Sequence, residues 1–269
     1  MRDLKIAIIG TGNIGTSIAK GLLNANYISA DNLFLTRKRI ELLDDFKNKG
    51  VKVSKDNCEA VKQSRVIIIA VEPQQIDSVL EQIKDDLKEG YHIVISVATA
   101  VTINQIQKMI NKKVTIIRSM PNTAIAIGES MTCLSSLNGN EGMDVAKDIF
   151  ETLGNTLIIG EEQMTPATAL AACGIAFFLR AIRAASQGGI EIGFHSHDAL
   201  LMAAQTARGA ASLLLQNTNH PEGEIDKVTT PRGCTIAGLN KMEHAGFSSA
   251  LIQGIVTSAE KAEGLYRKE

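Results

Sequence analysis

The chain has 269 residues, of which 45% are apolar, 4% aromatic and 21% charged. That length accommodates one large domain or two, and it buries a core without metal or disulfide staples. Twenty-eight basic against twenty-nine acidic residues leave a net charge of −1, which gives no electrostatic support for a nucleic-acid or membrane-surface partner.

From residue 4 to about 159, short β-branched runs alternate with helical patterns. The runs are Lys5–Ile9, Leu33–Thr36, Val51–Val53, Val66–Val71, His92–Val97, Val114–Arg118, Met131–Leu134 and Thr156–Ile159. Several are almost continuous Val, Ile and Ala, the pattern of strands covered by helices on both faces, which predicts a parallel sheet. Between them, Asn13–Leu23, Ile40–Asn48, Ile76–Leu87, Ile103–Ile110 and Glu141–Leu153 carry apolar residues at three- and four-residue spacing. Gly50, Gly90 and Gly154 stand where helix C-caps are expected. The first half therefore reads as a Rossmann-type, doubly wound, mostly parallel α/β domain over residues 1–160.

After Gly160 no strand pattern is left, and residues 161–269 read as an all-α domain. Thr165-Pro166 has the form of an N-cap followed by proline, leading into Ala167–Ala185. Ser196 is placed to cap His197–Leu215, Thr230-Pro231 to precede Thr235–His244, and Ser248 to cap Ala250–Leu265. Helices this rich in alanine and apolar on most faces must be buried on most faces. About 110 residues cannot supply that cover internally, so a homodimer through this half is expected.

Gly10-Thr11-Gly12-Asn13-Ile14-Gly15 follows the first strand and opens the first helix. In that setting the first glycine allows the turn, the second lets a pyrophosphate approach, and the third lets helix and strand pack closely. Asn13 is either a phosphate ligand or a local cap. At the end of the second strand, Thr36-Arg37-Lys38-Arg39 has no acid to hold a ribose 2′-hydroxyl. A hydroxyl and three cations there favour a 2′-phosphate, hence NADPH over NADH, with Arg37 able to bind it bidentately. The ends of later strands complete the cleft: Ala70-Val71-Glu72-Pro73, Val97-Ala98-Thr99-Ala100 and Arg118-Ser119-Met120-Pro121-Asn122-Thr123. Each of these three also reads as ordinary loop chemistry.

The five histidines form no His-Glu-x-x-His pair, so no metal site is expected. No Gly-x-Ser-x-Gly elbow is present either. Four cysteines, Cys58, Cys133, Cys173 and Cys234, are spaced too widely for a zinc knuckle or a redox pair. Free thiols, a first segment lacking a signal peptide's apolar core, and apolar runs short of the ~18 residues of a membrane helix predict a cytoplasmic protein without a membrane partner. In the second half, Thr229-Thr230-Pro231-Arg232-Gly233-Cys234-Thr235 feeds a helix and reads either as a plain helix cap or as a start whose backbone N–H groups hold a carboxylate.

The glycine turn, Arg118–Thr123 and Thr229–Leu239 resemble, in order and spacing, the pyrroline-5-carboxylate reductases, over essentially the whole chain. The resemblance implies NADPH- or NADH-dependent reduction of 1-pyrroline-5-carboxylate to L-proline, with helical domains interlocked as a homodimer and further as a ring of dimers. It implies that Gly233, Cys234 and Thr235 cradle the substrate carboxylate, with the Thr235 hydroxyl approaching the ring nitrogen. It places Ala98 and Asn122 beside the nicotinamide, and Thr36, Arg37 and Asn57 around the adenosine phosphate. A protonated imine is already electrophilic, so orientation in a dry pocket suffices and no histidine–carboxylate machinery is required.

Three positions depart from the family pattern. Ala171-Ala172-Cys173-Gly174-Ile175-Ala176-Phe177 stands for Ser-Gly-Ser-Gly-Pro-Ala-Tyr, which predicts a straighter, less polar helix. Arg232 replaces a glycine, and Glu72 a lysine. The readings left beside the leading one are a reductase of another cyclic imino acid and a non-catalytic NADP-binding relative. The β-hydroxyacid dehydrogenases rank low because no lysine lies between Thr165 and Gly193.

Overall fold

A computed structural model of the chain describes residues 4–137, 141–217 and 219–264. Its eight strands are β1 (Ile6–Ile9), β2 (Leu33–Thr36), β3 (Lys52–Ser54), β4 (Val66–Ile69), β5 (Ile93–Ser96), β6 (Thr115–Met120), β7 (Ser130–Ser135) and β8 (Gly154–Ile158). They form one sheet in the order β3-β2-β1-β4-β5-β6-β7-β8. Six strands run parallel; β7 is antiparallel to β6, and β8 follows β7 in parallel. Every residue of β1, β2, β4 and β5 is buried, which is why their sequences show no polar alternation.

The strand period of two divides the core. Ile6 and Ile8 pack with Ile18, Ala19 and Leu22 of α1 (Asn13–Asn24) and Ile149 and Phe150 of α6 (Glu141–Glu151). Ala7 and Ile9 face the other way, onto α3 (Asn57–Gln63), α4 (Ile76–Ile83) and α5 (Ile103–Ile110). Between β2 and β3 lies the short α2 (Asp44–Asn48), preceded by a 3₁₀ turn at Ile40–Leu43. Gly50, at φ 87°, ends it in a Schellman motif, with Val51 N–H donating to Phe46 O and Gly50 N–H to Lys47 O. Gly90 and Gly154 are not helix caps. Gly90 lies in the turn before β5, and Gly154, at φ 142°, opens β8 where a Cβ would strike the Ser130 backbone.

Two helices carry no strong apolar period and escape the sequence reading. Asp56 caps α3 by accepting from Cys58 N–H and Glu59 N–H, and α10 (Pro221–Lys227) starts on the His220 ring with proline at its first position. Cap-then-proline therefore occurs at His220-Pro221 and at neither threonine pair. Thr165 lies inside α7 (Met164–Ala167), and Thr230 begins a turn that precedes α11 (Cys234–His244). Ser196 is the first residue of α9 (Ser196–Asn217), since Ala199 N–H already bonds His195 O. Ser248 lies inside α12 (Phe247–Glu263), its hydroxyl donating to Glu243.

The long helix is not regular. Thr168–Cys173 is π-helical between α7 and α8 (Gly174–Glu191), where a straighter helix is expected from the sequence. Asn122 Nδ2 donates to Ala171 O within that wide turn, giving a non-helical partner to a carbonyl that the i→i+5 pattern displaces. The run Glu161–Glu191 is also long and apolar enough, by length and composition, to cross a membrane. Counting unbroken apolar residues misses this, because small polar residues interrupt a stretch uncharged from Gln163 to Leu179.

The chain divides into two compact units after Cys173; residues from Ser258 onward belong with the first, and Gly174–Thr257 form the second. The change of secondary-structure type lies earlier, at Gly160. In the second unit α8 and α9 approach closely at Gly189, where a Cβ would stand 3.0 Å from Ala199 Cβ. Among its described residues only Gly174, Ser186 and Ala199 are buried, whereas Phe178, Leu201 and Leu215 are 61%, 62% and 75% exposed. No apolar side chain larger than alanine is buried there, so this unit has no core of its own.

His92, buried at the start of β5, accepts Lys88 N–H on Nδ1 and faces Val61 O with Nε2, an arrangement that fits the neutral ring. Burial holds its pKa below the ordinary 6.5. The unfolded chain then binds the extra proton first, so stability contributed above pH 6.5 is lost as the pH falls from there toward the depressed folded value. Urea midpoints measured against pH should decline below that point for the unaltered chain, and His92→Gln should flatten the decline.

Candidate functional site

One row of residues crosses the sheet near the carboxyl ends of its parallel strands: Ser54, Thr36, Ile9, Ile69, Ser96 and Arg118 are successive partners. The first unit's candidate residues lie on or just past this row, except Asn57 and the start of α1. In an open α/β sheet that edge is where ligands bind.

The glycine turn is the best-defined part. Gly10 has φ 86°, and a Cβ there would meet Val71 Cγ1 at 2.4 Å and Ala70 O at 2.8 Å. At Gly15 a Cβ would come within 2.7 Å of Gly10 O, so glycine permits α1 to sit against β1. Around Gly12 a Cβ would meet nothing within 4 Å. That open space is the approach an anion needs, and Gly12, the N-cap of α1, has no side chain to cap the helix. The N–H groups of Asn13, Ile14 and Gly15 thus head a helix with its positive end uncapped. Thr11, passed over in the sequence reading, fixes the turn: it is buried, and both its N–H and Oγ1 donate to Thr36 O. Asn13 accepts from Ser17 Oγ through its carbonyl, and no side-chain cap comes from it.

At the end of β2, Arg37 Nη1 donates to Thr11 O at 2.7 Å, which ties this cation to the glycine turn. Lys38 and Arg39 are exposed. Thr36 is buried, with Oγ1 donating to Asn57 Oδ1 at 2.6 Å, and Asn57 Nδ2 donates on to Gln82. The structure thus brings Thr36, Arg37 and Asn57 together, with Thr36 spent on orienting Asn57.

Beyond β4, Ala70 is buried, Val71 packs against the turn, and Pro73 starts a 3₁₀ helix whose N-cap is the exposed Glu72. Beyond β5, Ala98 is buried, and Ala100 holds φ 64°, a left-handed conformation unusual for alanine. Asn122 spends both ends of its amide within the first unit, accepting Ala124 N–H and donating to Ala171 O.

Gly233, Cys234 and Thr235 lie in the second unit, at the start of α11. Thr230-Pro231-Arg232-Gly233 is a tight turn closed by Gly233 N–H to Thr230 O at 2.9 Å. Arg232, at φ 59°, occupies the third position, where such a turn ordinarily takes glycine or asparagine. It is exposed and has no ion-pair partner among the described residues. Gly233 caps α11 without a side chain, so the helix presents bare N–H groups beside the exposed Cys234 and half-buried Thr235. Among the described residues no cluster of three or more His, Cys, Asp or Glu could hold a metal.

Residues 161–265 match the family profile for pyrroline-5-carboxylate reductase dimerisation, and residues 5–100 that for coenzyme F420-dependent NADP oxidoreductase. The chain is 49% identical to pyrroline-5-carboxylate reductase 1 of Dictyostelium discoideum, over 99% of this chain and 51% of that protein. It thus spans about half the length of that relative. It is 45% identical to pyrroline-5-carboxylate reductase 2 of the same organism, over 97% of this chain and 94% of the relative. The crystal structure of Plasmodium falciparum pyrroline carboxylate reductase with NADP bound superposes with a TM-score of 0.90 at 26% identity, covering 99% of this chain and 100% of that one.

The three glycines make a separable prediction. Gly12→Ala should change stability by less than about 0.5 kcal/mol yet weaken dinucleotide binding by at least about tenfold. Gly15→Ala should instead cost roughly 1–3 kcal/mol of stability through overpacking. Thermal melts and nucleotide titration by calorimetry separate the two.

Proposed function

The chain belongs to the pyrroline-5-carboxylate reductase family, and from that membership we propose that it reduces 1-pyrroline-5-carboxylate to L-proline with NADPH or NADH. The observation that carries the reading is the uncapped, unobstructed start of α1 at Gly12, with Arg37 tied to the same turn. Bound NADPH would supply a hydride to the carbon of the protonated imine, whose nitrogen keeps its proton and becomes the amine of proline while the cofactor is left as NADP+.

The chain's own part is to bind and orient. The N–H groups of Asn13, Ile14 and Gly15 hold the pyrophosphate, and Arg37 holds the 2′-phosphate. Gly233, Cys234 and Thr235 cradle the substrate carboxylate through the bare start of α11, while the Thr235 hydroxyl faces the ring nitrogen. That hydroxyl has no intramolecular partner among the described residues, so it is available for this work.

The second unit, with no core of its own, is covered in this reading by the same unit of another copy, giving a homodimer; a ring of dimers is the larger assembly proposed. Such cover also accounts for the long apolar helix without a membrane. Free cysteines at all four positions fit the proposed cytoplasmic location.

Purified protein given NADPH and pyrroline-5-carboxylate should oxidise the one and form proline from the other. Turnover only with a different cyclic imine would move the substrate, and none with any imine would leave a non-catalytic NADP-binding relative. Arg37→Ala should raise the Kd for NADPH by roughly 10- to 100-fold, about 1.4–2.8 kcal/mol, while leaving NADH within about threefold. Thr235→Ala should lower kcat roughly 10- to 100-fold with the melting temperature unchanged.

A further inference from the structure

Arg118 is the only buried Lys, Arg, Asp or Glu among the described residues. It sits in β6, paired with Ser96 of β5 on one side and Ser135 of β7 on the other. Its Nη1 reaches Glu161 Oε1 at 3.2 Å, and its Nη2 has no partner. The same Glu161 oxygen accepts the N–H of Ile103 at 2.6 Å. Ile103 is the first residue of α5, where Thr102 and Gln105 already form a capping box. One carboxylate therefore joins a buried cation in the sheet to the start of a helix, the end at which negative charge is favourable.

A buried ion pair is a poor way to gain stability, because desolvation offsets most of its attraction. Its position suggests another use. Val97–Thr102 is the loop between Ser96 and Ile103. One end is held by Ala98 N–H donating to Ser96 Oγ, and the other by Ile103 on Glu161. Within it Ala100 is held left-handed. Such strain persists only where the surroundings fix the chain on both sides. A dinucleotide centred on the α1 start extends its halves in opposite directions along the sheet edge. Arg37, past β2, marks the phosphate-bearing adenosine half, so the redox half lies toward β4 and β5, against Val97–Thr102.

We infer that Glu161, held by Arg118, is a positioning residue for the redox half of the cofactor, acting by pinning the loop Val97–Thr102 through the N–H of Ile103. The inference rests on the proposed reductase reading. It requires no contact between Glu161 and cofactor or substrate.

The test compares the unaltered chain with Glu161→Gln, which keeps an acceptor and loses the charge, and Glu161→Ala, which loses both. Hydrogen exchange over residues 97–106 in cofactor-free protein should quicken in the order unaltered, Gln, Ala. On the same ordering kcat should fall, by about tenfold or more for Ala, with KM for the imine within about twofold. The isotope effect with NADPH deuterated at the transferred position should rise, and the fluorescence enhancement of bound NADPH should change. If Glu161→Ala fails to fold, the Gln variant decides alone. A lowered melting temperature with unchanged exchange, kcat and isotope effect would show a merely structural pair and overturn the inference. Should the unaltered chain oxidise no NADPH with any imine, the reductase reading fails, and exchange together with NADPH fluorescence still decides the role of Glu161.

Discussion

The first N–H groups of α1 have no side chain to satisfy them, because the residue at the N-cap is Gly12. An uncapped helix start is a standing demand for an acceptor. The surrounding chemistry answers that demand with an anion's geometry: open space at Gly12, a turn locked by Thr11 onto Thr36, and a guanidinium tied to the turn through Thr11 O. The parallel strand order puts the ends of β2, β4 and β5 beside that point, so residues far apart in sequence line one edge.

A second unmet demand lies in the helical unit, where large apolar side chains remain exposed and, among the described residues, no apolar side chain larger than alanine is buried. Exposed apolar surface on that scale calls for a partner surface of the same kind. In the proposed homodimer, two copies of one chain would supply it with closed symmetry. Arg232 adds a local cost, a non-glycine residue held left-handed directly before the bare start of α11. The family pattern has glycine there, which such a turn accepts without strain.

The inner strands β1, β2, β4 and β5 were legible because strands buried on both faces must be apolar throughout, and each of the eight was located to within a few residues. The glycine turn was legible because Gly10 and Gly15 each answer a separate steric requirement, visible in what a Cβ would strike, while Gly12 leaves open the approach an anion needs. Helix caps in the all-α half were not, although the helices expected in the first half do begin at Asn13, Ile40, Ile76, Ile103 and Glu141. Residue identity pointed to Thr165, Ser196, Thr230 and Ser248, whereas the backbone breaks at Gly160, His195, Gly233 and Gly246, so the hydroxyls fall beside the caps. Glu161 left no local signal at all, since its partners are 43 and 58 residues away in the chain. The π-helical turn was equally hidden, because its cause includes a bond from Asn122, in another part of the fold.

The proposed function brings the bare starts of α1 and α11 to one reaction, and within the proposed homodimer we propose that the two come from different copies. Co-expression of a Gly12→Asp chain with a Thr235→Val chain tests it most directly, each variant alone keeping no more than about a tenth of the unaltered activity. A site shared between copies regenerates one working centre in every mixed dimer, so random pairing should restore about a quarter of the unaltered activity. Activity no higher than that of either variant alone would contradict the account.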